Sequence, residues 1–516
     1  MLSQDFRQSS AVSFGPAKWG WRRSSLEFGA SNMKTEQIHT LVLGAGPAGL
    51  AAGYVLARAG HKPVVVEKGK SSGGLMRSIK RGDFIVDIGR KELYNRLERV
   101  DQFWAELLGD DYRQYPHRGG LLFDGHIIEI SPSFRGFRRG MPWPMFIGCA
   151  GDLLWSRMRA NRGRPQNLEQ YFYQKRGRRL AQIISQGFQE KLSGIKWADV
   201  KLPENHSDSR DATFFQTVKG LMARTFSHKE VNTFNGVWRH PARGTGQICD
   251  ALERGAAQKG GRFVFEANVL EMNSSDGKVI SVKAEARGET FLYETEHVIS
   301  SLPAQFLLKL LLKDRFTALD GTLKAPPSSK RTIVLAYLFL NEEPRFPHAW
   351  LNVTCPHTRI GRITNYSGIN GEMVPAGKTC LCCEFYCNAG DPLLERDEKA
   401  FMALALEGCG KYKLLDAAKC FDSLVLKLPG ADASQNRHNW MSKMTKRLLD
   451  ELRPFKNLYY VSRTDLDIAT LAGVESAEAI LAGDRTTFDR HIDPTQLGIR
   501  DTKKTFEFKN PMEQGV

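Results

Sequence analysis

Ile38-His39-Thr40-Leu41-Val42-Leu43-Gly44-Ala45-Gly46-Pro47-Ala48-Gly49, continued by Leu50 to Ala59 and by Val64-Val65-Val66-Glu67, is the stretch on which the fold turns. Apolar and β-branched residues from Ile38 to Leu43 read as a buried parallel strand. The strand runs into three glycines at G-x-G-x-x-G spacing. The Ala- and Leu-rich segment from Leu50 to Ala59 then reads as a helix closed by Gly60. His61-Lys62-Pro63 turns the chain into a second strand, Val64 to Val66, which ends in Glu67. Strand, glycine turn, helix, strand and terminal acid occur in the order a dinucleotide site requires, with the acid about twenty residues past the first glycine. Gly44 makes the tight turn and Gly46 lets the backbone approach a pyrophosphate. Pro47 and Ala48 complete the cofactor-binding turn, the helix N-terminus after it presents unpaired N–H groups to the negative charge, and Gly49 lets that helix pack close to the strand. Glu67 is placed to accept hydrogen bonds from the adenosine ribose. The bland alternative is a glycine-rich turn of an α/β protein that binds nothing.

Around this unit the chain has 516 residues, room for two or three domains at roughly 150 residues each. With 41% hydrophobic and 25% charged residues, a wholly disordered, collagenous or coiled-coil chain is excluded. The formal net charge of +16 favours anionic partners: phosphorylated substrates, nucleic acid or a membrane surface. Nine cysteines spread over so long a chain give no disulfide framework, so a reducing, cytoplasmic setting is expected. The longest apolar candidate for a membrane span, Leu41 to Ala57, is interrupted by glycines and Pro47, and no transmembrane helix is expected. Residues 1–33 hold Arg7, Arg22 and Arg23 against Asp5 and Glu27. They read as a disordered extension, with a transit peptide as the alternative.

The same fingerprint serves NAD and FAD, so the following residues decide. After Glu67 come Lys68-Gly69-Lys70-Ser71-Ser72-Gly73-Gly74-Leu75-Met76-Arg77-Ser78 and then Phe84-Ile85-Val86-Asp87-Ile88-Gly89. These motifs resemble the flavin-containing amine oxidase superfamily, which includes protoporphyrinogen oxidases, carotenoid desaturases and UDP-galactopyranose mutases. The resemblance implies FAD as cofactor, with Lys68, Gly73, Gly74, Leu75 and Arg77 along its pyrophosphate and ribityl chain. It extends to His240-Pro241-Ala242-Arg243-Gly244-Thr245-Gly246, to Gly260–Val269, where Val269 would pack on the adenine, and to His297–Pro303. At the far end, Asn457–Val461 reads as a strand and Thr470–Ile480 as an Ala-rich helix closed by Gly483. The resemblance places Asp465, Gly473 and Val474 at the cofactor there, with the helix N-terminus stabilising negative charge on the reduced flavin. Ser462 stands where family members often carry glycine, and the acids are offset to Asp465 and Asp467.

The middle of the chain is less specific. Residues 167–194 resemble the helical substrate insert of the protoporphyrinogen-oxidase-like and mutase-like branch. Between 134 and 179 stand eleven Lys or Arg, including Arg135, Arg157 and Arg179, against Asp152 and Glu169 alone. This charge could gather an anionic substrate, rest on anionic lipid beside Trp143, Phe146 and Trp155, or be a solvated face. Nucleic acid is not expected, because no recognition motif accompanies it. Cys380, Cys382, Cys383 and Cys387 alternate with Leu381, Phe385 and Tyr386, which suits core cysteines of a buried strand rather than metal ligands. Val334–Leu340 and the segments near 350 and 380 suggest a sheet floor, with His348, Trp350, Tyr366 and Tyr386 as pocket candidates.

The expected architecture is α/β. A discontinuous Rossmann-like FAD-binding domain comprises residues 34–100, 235–303 and 450–490. A mixed-sheet plus helical substrate domain comprises 101–234 and 304–449. The resemblance implies an FAD-dependent oxidoreductase passing hydride from a small organic substrate to flavin. The alternatives are a non-redox enzyme of the mutase type and a flavin-binding protein without turnover. Mutases usually carry a His soon after the Asp-x-Gly strand, where this chain has Arg90-Lys91-Glu92; Arg90 and Lys91 suit an anionic substrate. No catalytic residue and no oligomeric state is legible.

Overall fold

Each parallel strand at the nucleotide end delivers its carboxyl end to one edge of a seven-stranded sheet. In this computed structural model the described residues are 33–91, 93, 97–115, 118–129, 140–158, 165–202, 239–313, 315–316, 331–430, 450–463 and 465–491. The extension expected over residues 1–33 lies outside them except for Met33. So do Arg135, Arg138, Arg139, Arg159, Arg162, Arg164 and the side chain of Arg157.

The central strand Met33–Leu43 pairs in parallel with Val64–Val66 on one side and with Glu289–Ser300 on the other. Arg262–Val264 continues the parallel set beyond Val64–Val66, and Leu458–Tyr460 pairs in parallel with the end of Glu289–Ser300. Ala267–Ser275 and Lys278–Ala286 complete the sheet as an antiparallel meander. The central strand starts five residues before Ile38. Met33 to Gln37 are mostly exposed and show no apolar pattern, yet they are held by register against Thr290–Glu294.

The helix Pro47–Arg58 also begins earlier than the apolar run at Leu50 suggests. Proline is tolerated at the first helical position, and the Leu50 N–H donates to Gly46 O at 2.9 Å. One face of the sheet is covered by this helix with Glu98–Leu108, Gly246–Gln258 and Leu466–Ala482; they share a core containing Val42, Leu50, Trp104, Leu252 and Ala477. On the other face, Ala304–Leu312 packs with Leu41, Val66 and Tyr293. Glu98–Leu108 and Ala304–Leu312, at the edges of the segments expected for the substrate domain, thus pack on the nucleotide-end sheet.

A second seven-stranded sheet runs in the order Cys420–Pro429, Thr332–Leu340, Thr379–Cys387, Ile360–Asn365, Trp350–Val353, Gly119–Phe123, His126–Glu129. It is antiparallel except where Trp350–Val353 meets Gly119–Phe123. Every residue of Thr379–Cys387 is buried, its four cysteines included. Against the second sheet lies a small apolar cluster in which Phe84, Val86 and Ile88 meet Leu335, Tyr337 and Tyr366. It fixes the Phe84–Asp87 strand against the second sheet.

Candidate functional site

Three strand ends and one helix start converge at Gly44. Gly44 N–H donates to Val66 O at 2.8 Å and Ser301 N–H donates to Leu43 O at 2.9 Å. Gly44 has φ +99°, and a Cβ there would sit 2.2 Å from Ser301 Oγ, so only glycine makes this turn. A Cβ on Gly49 would meet Gly44 O at 1.9 Å, and one on Gly473 would meet Ala48 O at 2.0 Å. The helices Pro47–Arg58 and Leu466–Ala482 therefore touch backbone to backbone. Gly46 is the contrast: a Cβ there meets nothing within 4 Å. Open space thus lies in front of Gly46 at the helix N-terminus, while its neighbours are closed by protein, and this is the shape a pyrophosphate needs.

The acid at the end of the second strand is tied into the same turn. Glu67 Oε2 accepts from the Ala45 N–H and Oε1 from the Gly69 N–H, each at 2.7 Å. Gly73 N–H donates to Ala45 O at 2.7 Å, which brings the Gly73-Gly74 pair beside the glycine turn; a Cβ on Gly74 would lie 3.6 Å from Gly46 Cα. Arg77 folds back so that Nη1 donates to Gly74 O at 3.1 Å. Gly44, Gly46, Pro47, Ala48, Gly49, Glu67, Gly73, Gly74 and Arg77 thus form one cradle, and its open face and donor set fit an FAD pyrophosphate and ribose. Lys68 and Leu75 are exposed at its rim. Val269 is buried in the apolar cluster of Leu43, Val64 and Val66.

The far-end residues are distributed differently from the sequence expectation. The helix starts at Leu466, one turn before Thr470, with Asp465 as its N-cap residue. Residues 466–469 carry Asp467 among apolar neighbours, so their helical start has no apolar-run signal. Gly473 consequently lies inside the helix against Ala48, and Val474 lines a surface cavity with Val55, Val100 and Phe103. Asp465 is exposed at the helix start.

From the cradle a hydrogen-bonded path leads to the second sheet. Thr245 Oγ1 donates to Met76 O at 2.9 Å, and the Thr245 N–H donates to Asp87 Oδ1, also at 2.9 Å. The same carboxylate oxygen accepts from Ser78 Oγ at 2.5 Å, and His240 Nε2 lies 3.5 Å from Asp87 Oδ2. Fully buried Asp87 therefore joins its own strand to the start of Gly246–Gln258. Beyond it, two buried tyrosines clamp the chain: Tyr337 donates to Asp87 O at 2.8 Å and accepts from the Gly89 N–H at 3.0 Å, while Tyr366 donates to Asp87 O at 2.6 Å. Burial pushes both phenols well above the ordinary tyrosine range, so they stay protonated and fix the direction of Arg90 and Lys91.

At the end of that clamp Arg362, Arg90 and Lys91 lie within electrostatic reach of one buried carboxylate, Glu384. Glu384 accepts from the Tyr386 hydroxyl at 2.6 Å, from Arg362 Nη1 at 3.2 Å and from the Arg90 N–H at 3.3 Å. Burial alone would raise the Glu384 carboxyl, but Arg362, the Tyr386 hydroxyl and Arg90 outweigh it and hold it below the ordinary carboxylate value. The Arg90 guanidinium lies 4.1 Å from the Trp350 ring centre, and Arg362 lies 5.2 Å from that of Phe188. Both stacks keep the planar groups ordered. Lys91 Nζ donates to Ile88 O at 2.6 Å; burial lowers its pKa despite the opposing charges of Asp87 and Glu384.

Of the four pocket candidates, Trp350 and Tyr386 thus belong to this cluster, and Tyr366 is a clamp. His348 packs nearby at Gly120, its imidazole lowered by burial. Tyr337, Arg362 and Glu384 were not singled out from the sequence. A signal existed: Glu384 is the single charged residue in the apolar run 379–387, and Arg362 is its cross-strand partner.

Comparison with known proteins gives the same direction. A family model described as flavin containing amine oxidoreductase matches residues 47–396. A chloroplastic prolycopene isomerase of an Oncidium hybrid cultivar is 25% identical over 304 residues, which are 51% of this chain and 48% of that protein. The chain spans about half the length of the curated relatives it matches. A structure of reduced UDP-galactopyranose mutase superimposes with a TM-score of 0.65 at 17% identity, covering 93% of this chain and 99% of the other. A protein from Exiguobacterium sp. 255-15 assigned as protoporphyrinogen oxidase gives 0.60 at 15% identity, covering 88% and 100%. At these identities the structural likeness speaks for the fold alone.

Proposed function

The chain belongs to the flavin-containing amine oxidoreductase family, a family of FAD-dependent oxidoreductases, and on that premise we propose that it oxidises a small anionic organic substrate at the Arg90–Lys91–Arg362 cluster. The observation that carries this reading is that Arg90, Lys91 and Arg362 lie within electrostatic reach of Glu384 at the end of the Asp87–Gly89 turn, which is linked through Asp87 and Thr245 to the cofactor cradle.

In this reading the turn Gly44–Gly49 and the N-terminus of Pro47–Arg58 hold the pyrophosphate of FAD. Glu67 takes the ribose, Lys68, Gly73, Gly74, Leu75 and Arg77 follow the chain, and Val269 backs the adenine. The start of Leu466–Ala482, with Asp465, faces the flavin; Gly473 and Val474 support that helix from within. The FAD-binding domain comprises residues 34–100, 235–303 and 450–490 together with the helices Glu98–Leu108 and Ala304–Leu312 packed on its sheet, and the substrate domain comprises the rest of 101–234 and 304–449. FAD supplies the two-electron acceptor for hydride from the substrate.

The protein's own contribution is positional and electrostatic. Arg90 and Arg362 attract and orient an anionic group, with Trp350 and Phe188 as flat walls. Glu384 stays ionised, keeps the Arg362 guanidinium in place and accepts the Arg90 backbone N–H. Lys91, whose ammonium is disfavoured by burial, is the group able to take a proton at Nζ. The same cations suit the diphosphate of a nucleotide sugar, which keeps a non-redox mutase-type rearrangement as the second reading.

The test is anaerobic mixing of the FAD-loaded chain with paired substrates that differ only in a carboxylate or phosphate. Faster loss of flavin absorbance with the charged member of each pair supports the oxidoreductase reading. Turnover of a nucleotide sugar by pre-reduced enzyme, with no net electron transfer, supports the second. No reaction in either arm points to a flavin-binding protein without turnover.

A further inference from the structure

The helix Trp143–Met158 is apolar on both sides, one of them packed on the protein and the other exposed. Its inner side, through Met145, Phe146 and Cys149, packs on Leu121 and Ile128 at the edge of the second sheet and on Leu180, Ile183 and Ile184. A surface helix of a globular protein ordinarily turns polar residues outward. Here Trp143 is 57% exposed, Ile147 64%, Leu154 42%, Trp155 54% and Met158 68%. Positions 143, 147, 154 and 158 fall on one stripe of a 3.6-residue helix, with 155 beside it. Pro144 and Gly151 are the other exposed positions among the helix's described side chains, so among these that face carries no charge. Five of the twelve large apolar side chains exposed among the described residues sit on this one helix, which marks it as a docking surface rather than ordinary surface scatter.

Charge tells what covers it. The helix's single acid, Asp152, accepts from the Arg179 N–H at 3.0 Å and is thereby turned to the next helix. Arg178 and Arg179 are exposed beside it. In sequence, Arg135, Arg138 and Arg139 precede the helix and Arg159, Arg162 and Arg164 follow it, and the eleven basic residues of 134–179 face only two acids. A protein partner of acidic character would meet the arginines but leave two tryptophans, Ile147, Leu154 and Met158 against polar surface. An apolar layer bordered by negative charge satisfies both. We propose that this helix lies flat in the interface of an anionic lipid bilayer, its Trp143/Ile147/Leu154/Met158 stripe among the acyl chains and the exposed Arg178 and Arg179 on the headgroups. At about 24 Å for sixteen residues it matches a surface-lying element, and no described helix is long and apolar enough to cross a membrane. This docking does not depend on which substrate the flavin site takes.

The test is co-sedimentation of the full, FAD-loaded chain with vesicles of phosphatidylcholine alone and of phosphatidylcholine with phosphatidylglycerol in equal parts. Binding to the anionic vesicles that weakens with salt is expected, as is a loss of roughly tenfold or more in partition for Trp143→Ala/Trp155→Ala. Because both side chains are exposed, flavin content and melting temperature of that variant should match the parent, which separates lost docking from lost folding. Failure to bind anionic vesicles overturns the proposal, as does binding that the double substitution leaves unchanged. A concentration-dependent dimer abolished by the same substitutions, without vesicle binding, would assign the face to a second copy of the chain.

Discussion

Glu67→Gln isolates the acid that ends the second strand. Each oxygen of the parent carboxylate accepts one backbone N–H at 2.7 Å, from Ala45 and from Gly69. Hydrogen bonds to a charged group contribute about 1.5–3 kcal/mol each. Glutamine keeps one acceptor and turns its amide nitrogen toward the other N–H, so one such bond is lost, and the remaining acceptor competes between backbone and ribose. If that loss falls on cofactor binding, FAD affinity drops by roughly 10- to 150-fold, a factor of ten per about 1.4 kcal/mol. The apoprotein should still fold but melt somewhat lower, because the Ala45 and Gly69 contacts exist before FAD arrives. Calorimetric titration of apoprotein with FAD, paired with a melting curve of each apoprotein, separates the two shares. A Glu67→Gln chain with the parent's FAD affinity and melting temperature would refute both the ribose role and the loop-tying role of this carboxylate.

Gly473→Ala places a methyl group 2.0 Å from Ala48 O, so the two helices must part; overpacking of this kind costs about 1–3 kcal/mol, read as a lower melting temperature with FAD bound more weakly. For Glu384, whose folded value lies below the ordinary carboxylate value, stability is present above that ordinary value and is lost as pH falls through the folded one. The melting-temperature gap between parent and Glu384→Gln should therefore be widest near neutrality and shrink in acid; a gap independent of pH would contradict the assigned ion pair. Lys91 is lowered by burial, so the fraction in the neutral form rises with pH already below the ordinary lysine range. The rate of flavin reduction should climb through that window in the parent, and Lys91→Met should lose the limb. An identical pH profile in the variant would remove Lys91 from the proton step.

The nucleotide end was legible because its chemistry is local. Gly44, Gly46, Gly49 and Glu67 announce a turn, a close approach and an acid within thirty residues, and the fold follows from strand–turn–helix order. The cluster at Glu384 was harder to read because it is assembled across sequence distance: Arg90 follows one strand, whereas Arg362 and Glu384 face each other on two others. Register, not motif, brings them together. The starts of the helices at Pro47 and Leu466 were misjudged for a related reason. Apolar periodicity marks where a helix is buried, while its first turn is fixed by backbone hydrogen bonds such as Leu50 N–H to Gly46 O. Tyr366 looked like a pocket wall by residue type alone; its burial and its bond to Asp87 O make it a clamp.

The most direct test of the central claim, that the glycine turn holds FAD, is the flavin content of Gly46→Val beside that of the parent. Gly46 has φ −76°, open to any residue, and a Cβ there meets no protein atom within 4 Å, so valine should be accommodated by the fold and should intrude only on the pyrophosphate. The parent chain should release one FAD, and no FMN, on denaturation, whereas Gly46→Val should be folded, colourless and unable to take up added FAD. A folded parent that neither carries nor binds FAD, or a Gly46→Val chain that retains its full complement, would contradict the account.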